Sequence, residues 1–358
     1  MAKTYKTGII GYGLSAKIFH IPFITDSAHF SLHSIVQRTP KSDDDASKDH
    51  PDARIYRSTD DLIADRDIDV VVVTTAPDSH FELASKAMKA GKHVLVEKPF
   101  VPTSQQAREL VDLAEKSGVM LTVYQNRRYD RDFLTLRKLI EDGSLGRVVE
   151  FETHFDRHRP EMPTAQSWKT DPSNYSAVYD LGTHLMDQVV SIYGLPKRIT
   201  GFVGTQRQGN KTGLEDSFTA LLHYDDNLLV TAKAGVVSPE EAQLRYWVRG
   251  EKGSFKKFYL DAQEDQLKAG NRPGDEGYGE EEESKHGVLT TVANGKTSLL
   301  EVRPVESRGY TVFYDQFAKA LDSGDAGQLP VSATVAADVI RLCELMRQSS
   351  KEGKTLDV

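Results

Sequence analysis

The chain has 358 residues, a length that accommodates two domains. Hydrophobic residues make up 39% and charged residues 27%, a globular balance, and the net charge of -8 argues against general affinity for nucleic acid or an anionic membrane. The lone cysteine, Cys343, cannot form an intrachain disulfide, no Cys/His cluster has zinc spacing, and there is no secretory apolar region or 18-residue apolar run, so a soluble cytoplasmic protein is expected.

The first third alternates strand and helix patterns. KTGII (6–10) is a short apolar run ending in glycines, LSAKIFHIPFI (14–24) suits a helix, and HFSLHSIVQ (29–37) suits a strand. DVVVVTT (69–75) is β-branched and apolar on both faces, as a central parallel strand is. SHFELASKAMKAG (79–91) and SQQARELVDLAEKSG (104–118) are amphipathic helices with glycine stops. HVLVE (93–97) lies between them and MLTVY (120–124) closes the series. Such alternation with short connections means right-handed βαβ units and a doubly wound parallel sheet.

After residue 124 the pattern changes. A helix over 130–146, a long alternating strand over 147–158, a polar stretch over 159–178 and a helix over 180–194 are predicted. Strand-like runs near 197–207, 216–224, 228–237 and 243–250, with turn signals YDDN and RGEKG, predict hairpins and an antiparallel sheet. Residues 265–283 read as an acidic, glycine-rich surface loop, and the end as two helices, about 309–323 and 333–350. The expected organisation is α/β: a Rossmann domain over 1–124 and a second domain over 125–358.

Gly11-Tyr12-Gly13-Leu14-Ser15-Ala16 follows the first strand and opens the first helix as G-x-G-x-x-A. Gly11 permits the tight turn, Gly13 lets backbone approach a pyrophosphate, and Ala16 lets helix and strand pack closely. Tyr12, Leu14 and Ser15 complete this expected cofactor loop. The second strand ends Ile35-Val36-Gln37-Arg38-Thr39-Pro40-Lys41, with no acid for a ribose 2′-hydroxyl. Arg38 can fork onto a 2′-phosphate, with Thr39 and Lys41 as further donors. NADP is the expected cofactor, with NAD as the alternative.

TTAPDSH (74–80) follows the central strand at the sheet's carboxyl edge, where ligands of such folds bind. Thr75 and Pro77 are placed to line the nicotinamide side, and His80 is either a helix N-terminal residue or a cofactor contact. EKP ends the next strand at the same edge. Glu97 reads as a ribose-bonding or structural acid, Lys98 as projecting toward the nicotinamide, and Pro99 as setting the chain's direction, with a cis bond an option. A lysine beside a substrate hydroxyl stabilises developing alkoxide, although a lysine taken alone is ordinarily a surface group. In YDLGTHLMDQ (179–188), Asp180 and His184 share a helix face. The carboxylate can orient the imidazole, which can then take a hydroxyl proton as hydride leaves. Asp187 shares the region, but no fourth ligand accompanies these three, so no metal is expected.

GIIGYGLSA, TTAPDSH, GKHVLVEKP, QNRRYD and YDLGTHLMDQ occur in the order found in glucose–fructose oxidoreductase/inositol dehydrogenase-like (Gfo/Idh/MocA) proteins, and the resemblance covers nearly the whole chain. Within that family the motifs are most similar to NADP-dependent scyllo-inositol dehydrogenases and their relatives. The resemblance implies a C-terminal α/β domain whose large open sheet makes a homodimer or homotetramer interface. It implies that Lys98 is the family lysine of E-K-P and that Asp180 and His184 are the catalytic acid and histidine. It places Asn126 at the cofactor, Tyr124 and Arg128 at the substrate, Arg157 and His158 facing the pocket, and Trp168 near the nicotinamide. DRHRPE stands where relatives carry tyrosine and arginine before RPE, which leaves the substrate open.

The expected activity is reversible hydride transfer between NADP and a secondary alcohol or ketone carbon of an inositol, polyol or sugar. One rival is a non-catalytic dinucleotide-binding regulator of the same family, against which the joint presence of Lys98, Asp180 and His184 argues. The other is an oxidoreductase acting on a sugar acid, an aldehyde or a biliverdin-like tetrapyrrole. Arg127, Arg128, Arg157 and Arg159 leave room for an acidic substrate.

Overall fold

The computed structural model describes residues 3–162, 176–293 and 296–358. They fall into two compact units. The first comprises Met1–Asn126, Gln263–Tyr278 and Arg308–Ala337, and the second Arg127–Ala262, Gly279–Ser307 and Asp338–Val358.

In the first unit the apolar runs become parallel strands β1 (Tyr5–Ile10), β2 (Phe30–Val36), β3 (Arg54–Tyr56), β4 (Val70–Val73), β5 (His93–Val96) and β6 (Leu121–Val123), ordered β3-β2-β1-β4-β5-β6. All four valines of β4 are buried, as a strand covered on both faces requires. β1 pairs with β4 so that Ile10 lies beside Val73, which brings Gly11 and Thr74 out together at the carboxyl edge. The strand order reverses between β1 and β4, where an open α/β sheet leaves a ligand crevice. The links are a π-helical turn (Ala16–His20), α1 (Ile21–Asp26), α2 (Ala46–Asp49), α3 (Thr59–Ala64), α4 (Pro77–Lys89) and α5 (Ser104–Ser117). α4 starts on Pro77, where no N–H is needed. Thr103 caps α5 by accepting from the Gln106 N–H, and Gly118 stops it at φ +63°.

The second unit opens with α6 (Arg131–Glu141), β7 (Val148–His154), α7 (Ala177–Asp180) and α8 (Gly182–Tyr193). It continues with β8 (Arg198–Gly204), β9 (Ser217–His223), β10 (Leu229–Gly235), β11 (Leu244–Gly250), β12 (Gly253–Phe258), β13 (Gly287–Ala293), β14 (Lys296–Val302) and β15 (Leu356–Asp357). These strands form one nine-stranded sheet, ordered β14-β13-β12-β11-β7-β10-β9-β8-β15. Every neighbouring pair is antiparallel except β7 and β10. The YDDN turn joins β9 to β10, with Asp226 and Asn227 at φ +55° and +58°. One face packs on helices: a Cβ on Gly201 of β8 would lie 2.2 Å from the Met346 carbonyl oxygen, so the approach needs glycine. On the opposite side Phe202 of the same strand is 60% exposed.

Three further helices complete the chain: α9 (Gln263–Lys268), α10 (Thr311–Ser323) and α11 (Ala333–Glu352). α9 and α10 belong to the first unit, and the division between units falls within α11. Tyr314 and Phe317 of α10 pack with Phe23, Phe30 and Tyr124 in the first unit's core.

The expected α/β class and both sheets are present. Residues 265–283, expected as a loop, begin within α9 before their glycines take over. β12, β13 and β14 were not anticipated. β14 is exposed along most of its length, Leu299 and Leu300 included, so no alternation of polar and apolar residues marks it. Among the described residues no helix is long and apolar enough to cross a membrane.

Candidate functional site

The glycine loop of the first unit has the geometry that its sequence requires. Gly11 sits at φ +108°, and a Cβ there would lie 2.8 Å from Thr74 Oγ1. That hydroxyl donates to Ile10 O at 3.1 Å and Gly11 O at 3.3 Å, tying the loop to the end of β4. A Cβ on Gly13 would meet nothing within 4 Å, so space is left where a dinucleotide pyrophosphate meets a helix start. Leu14 is largely exposed beside it. Tyr12 turns its side chain away: its hydroxyl donates to Asp49 Oδ2 at 2.6 Å and its ring meets His50 edge-on. A cavity of about 430 Å³ is lined by Tyr12, Lys17, Asp49, His50 and Arg272 among others.

Arg38 and Thr39 are exposed at the end of β2. Gln37, in the position where an NAD site carries an acid, is buried and pins the loop beneath them. Its Nε2 donates to Asp44 O at 2.8 Å and its Oε1 accepts from Ala46 N at 2.9 Å. Lys17 holds Asp44 from the helix side at 2.6 Å. The loops therefore fit a dinucleotide, with a guanidinium rather than a carboxylate at the ribose end.

The carboxyl ends of β4 and β5 carry a buried polar network. Glu97 Oε1 accepts from Ser15 Oγ and lies 2.9 Å from His20 Nε2, while Oε2 accepts from the Lys98 N–H at 2.8 Å. His20 Nδ1 is 2.7 Å from the Tyr314 hydroxyl. Burial pushes the Glu97 carboxyl up, but His20, Ser15 and Lys98 outweigh it and hold the group below its ordinary value. Of the two roles expected for Glu97, these bonds describe the structural one. Ser15 likewise spends its hydroxyl on Glu97. Lys98 is half-buried, and the Lys98–Pro99 bond is cis. Pro77 is buried, and the Thr75 hydroxyl lies 2.6 Å from Ser79 Oγ.

Two residues expected at ligand borders lie in the interior. His80 has no exposed surface, and both ring nitrogens face main-chain carbonyls: Thr75 O at 3.0 Å, Phe100 O at 3.0 Å and Pro99 O at 3.1 Å. Burial lowers its pKa, opposed by those carbonyls and by Glu97. Tyr124 is 1% exposed, its ring centroid 4.5 Å from that of His20 and 4.9 Å from that of Phe313. Asn126 is also buried, at the start of a 3-10 turn.

In the second unit, Asp180 ends α7 and His184 lies one turn on in α8, with Leu181 between them in helical conformation. The helix expected over 180–194 is thus divided at Leu181, between the two residues. His184 is buried and its ring lies over Phe155, centroids 6.2 Å apart at 26°. The guanidinium carbons of Arg157 and Arg127 stand 4.6 and 4.7 Å from the centroid of the same Phe155 ring. Arg128, expected at the substrate, forks onto Asp187: Nε donates to Oδ2 at 2.7 Å and Nη2 to Oδ1 at 2.6 Å. That bond also engages Asp187, the third member of the cluster weighed as a metal site. His158 is exposed and bridges Val237. Trp168 lies outside the described residues.

Three residues of these clusters had no assigned role in the sequence. His20 carried a signal, its place in FHIP beside Pro22. Tyr314 carried none, because its partner is 294 residues away. Phe155 is one aromatic in an alternating strand pattern, and only the fold puts cations and His184 around it. A further cluster, His33, Asp65 and Asp67, has metal-like spacing, but Asp65 Oδ2 already accepts from Arg54 and Tyr56 at 2.8 Å.

Comparison with known proteins identifies the family of both parts of the chain. The family model described as "Oxidoreductase family, NAD-binding Rossmann fold" matches residues 5–125, and the one described as "GFO/IDH/MocA C-terminal domain" matches 133–256. The scyllo-inositol 2-dehydrogenase (NADP(+)) IolW of Bacillus subtilis is 35% identical over 99% of this chain and 96% of that protein. The uncharacterized oxidoreductase C115.03 of Schizosaccharomyces pombe is 36% identical over 99% of both chains. Among solved structures, yvaA from Bacillus subtilis superposes with a TM-score of 0.91 at 34% identity, covering 99% of this chain and 100% of that one. An oxidoreductase from Bacillus cereus gives 0.88 at 30% identity, with 99% of each chain covered.

Proposed function

The chain belongs to the Gfo/Idh/MocA family of oxidoreductases, and from that premise we propose that it transfers hydride reversibly between NADP and a secondary alcohol or ketone carbon of an inositol, polyol or sugar. The observation that carries this reading is the turn at Lys98. Its N–H is held by the buried Glu97 carboxylate at the carboxyl edge of the parallel sheet, the edge onto which the open space at Gly13 also gives. The name of IolW supports both the inositol substrate and the NADP preference. Arg38 and Thr39 support the preference from this chain's own residues.

A bound nicotinamide supplies the hydride acceptor or donor. Lys98 polarises the reacting oxygen and stabilises alkoxide character as the carbon is oxidised. His184 takes the hydroxyl proton in oxidation and returns it in reduction, and Asp180, one turn earlier, orients its ring. Arg157 offers donors to substrate hydroxyls beside Phe155. The first 124 residues carry the dinucleotide and residues 125–358 the substrate. The pairing of Arg157 and Arg127 over one ring favours a second reading, a sugar acid as substrate. In either case the enzyme works in the cytoplasm as a homodimer or homotetramer. Phe202, Val292 and Leu299, all more than half exposed on the second unit's sheet, support that assembly. An NADPH-absorbance assay across inositols, polyols, sugars and sugar acids tests the reading. Turnover with an inositol or polyol supports it, turnover confined to sugar acids selects the second reading, and no turnover with any of them rejects both.

A further inference from the structure

His80 lies near the start of α4, with no exposed surface, and three carbonyl oxygens converge on its ring. On the Nδ1 side are Pro99 O at 3.1 Å and Phe100 O at 3.0 Å, the two carbonyls that follow Lys98. On the Nε2 side is Thr75 O at 3.0 Å, from the loop after β4. A carbonyl oxygen only accepts, so a ring nitrogen bonds it only by donating a hydrogen. A neutral imidazole carries one such hydrogen, and two acceptors at Nδ1 against one at Nε2 favour placing it on Nδ1. The ring is rigid and packed, so it sets the position of the Pro99–Phe100 backbone relative to α4. The other end of the same turn is held by Glu97 through the Lys98 N–H. Lys98 thus sits between two buried anchors, one on each side of its own peptide.

We propose that His80 is a positioning residue for Lys98, acting through Nδ1 on the carbonyls that follow it. The inference rests on the reading of Lys98 as the group that meets the reacting oxygen. It separates His80 from a residue that merely fills the core, because two substitutions preserve different halves of the ring. In His80→Asn the amide nitrogen takes the place of Nδ1 and can still donate to Pro99 O or Phe100 O. In His80→Gln the amide reaches the place of Nε2 and leaves those two carbonyls unbonded.

The test measures kcat and the NADPH dissociation constant for both variants, alone and combined with Lys98→Ala. A displacement of order 1 Å at a reacting group can cost about a hundredfold in rate, so the effect is large enough to read. Turnover in His80→Asn is expected within about threefold of wild type, while His80→Gln loses about tenfold or more, with NADPH binding nearly unchanged in both. In the Lys98→Ala background His80→Gln should cost nothing further. Equal losses in the two variants, an undiminished cost in the Lys98→Ala background, or failure of both variants to fold would overturn the proposal. Wild-type turnover in Lys98→Ala alone would instead reject the catalytic role given to Lys98, a separate failure that leaves the His80 geometry standing.

Discussion

The two units place charged groups in opposite ways. At the carboxyl edge of the parallel sheet, Glu97, His20, Ser15, Tyr314 and His80 form a web of hydrogen bonds in which the main chain takes part. In the second unit the cations Arg127 and Arg157 lean on Phe155, and Arg245 is buried whole. Its Nη1 donates to His154 O and its Nη2 to Gln188 Oε1, both at 2.8 Å, with Asp132 3.5 Å from Nε. The first design fixes backbone around one lysine. The second fixes side chains on a platform of aromatic and amide groups. The difference teaches that substitutions around the Lys98 turn should act through the backbone that carries the lysine, whereas loss of the buried Arg245 should act chiefly on stability.

The largest expected effects come from the proposed catalytic groups. Lys98→Ala and His184→Ala should each lower kcat by about 10² to 10³ while leaving NADPH affinity within about threefold, read by steady-state kinetics and fluorescence titration. Next comes Arg245→Leu, which leaves Asp132 buried without its cation. Removing one partner of a buried pair costs about 3–5 kcal/mol, seen as a lowered urea midpoint. An unchanged midpoint would erase the contrast between the units. Arg38→Ala should weaken NADPH binding by about tenfold and leave NADH binding unchanged, since each ten-fold corresponds to about 1.4 kcal/mol, within the range of a charge-assisted hydrogen bond. Equal weakening of both cofactors would assign Arg38 to general binding.

The smallest effect is a pH dependence. The Glu97 carboxyl titrates below its ordinary 4.5 in the folded chain. A depressed folded pKa contributes stability that is full above the unfolded value and is lost as pH falls through the folded one. Glu97→Gln should therefore lower Tm at pH 7, and its gap to wild type should narrow on acidification below pH 4.5. A gap that widened would mean that the carboxylate is not what the network stabilises.

The same contrast explains what could be read in advance. The first unit is a succession of local βαβ links, with Gly11 after β1, Gly91 before β5 and Gly118 before β6, and VVVV marks the centre of the sheet. The G-x-G-x-x-A loop, the missing acid before Arg38, and the i, i+4 spacing of Asp180 and His184 are likewise local patterns. β3 escaped notice because Arg54–Tyr56 is three residues long and partly exposed. β13 and β14 escaped because a hairpin at a sheet edge need not alternate. The orientation of Tyr12, the commitment of Arg128 to Asp187, and the meeting of His20 with Tyr314 depend on side chains from distant segments. No residue type or spacing encodes which of two partners such a group takes. His80 shows the intermediate case: its place in TTAPDSH announced a role, but only the fold shows that the ring faces the carbonyls after Lys98.

The most direct measurement is single-turnover hydride transfer from an inositol or polyol, deuterated at the reacting carbon, to NADP, in wild type, Lys98→Ala and His184→Ala. The account predicts a primary isotope effect and a transfer step slowed about a hundredfold or more in each variant, with NADPH affinity essentially retained. A transfer step at the wild-type rate in either variant would contradict the roles assigned to Lys98 and His184.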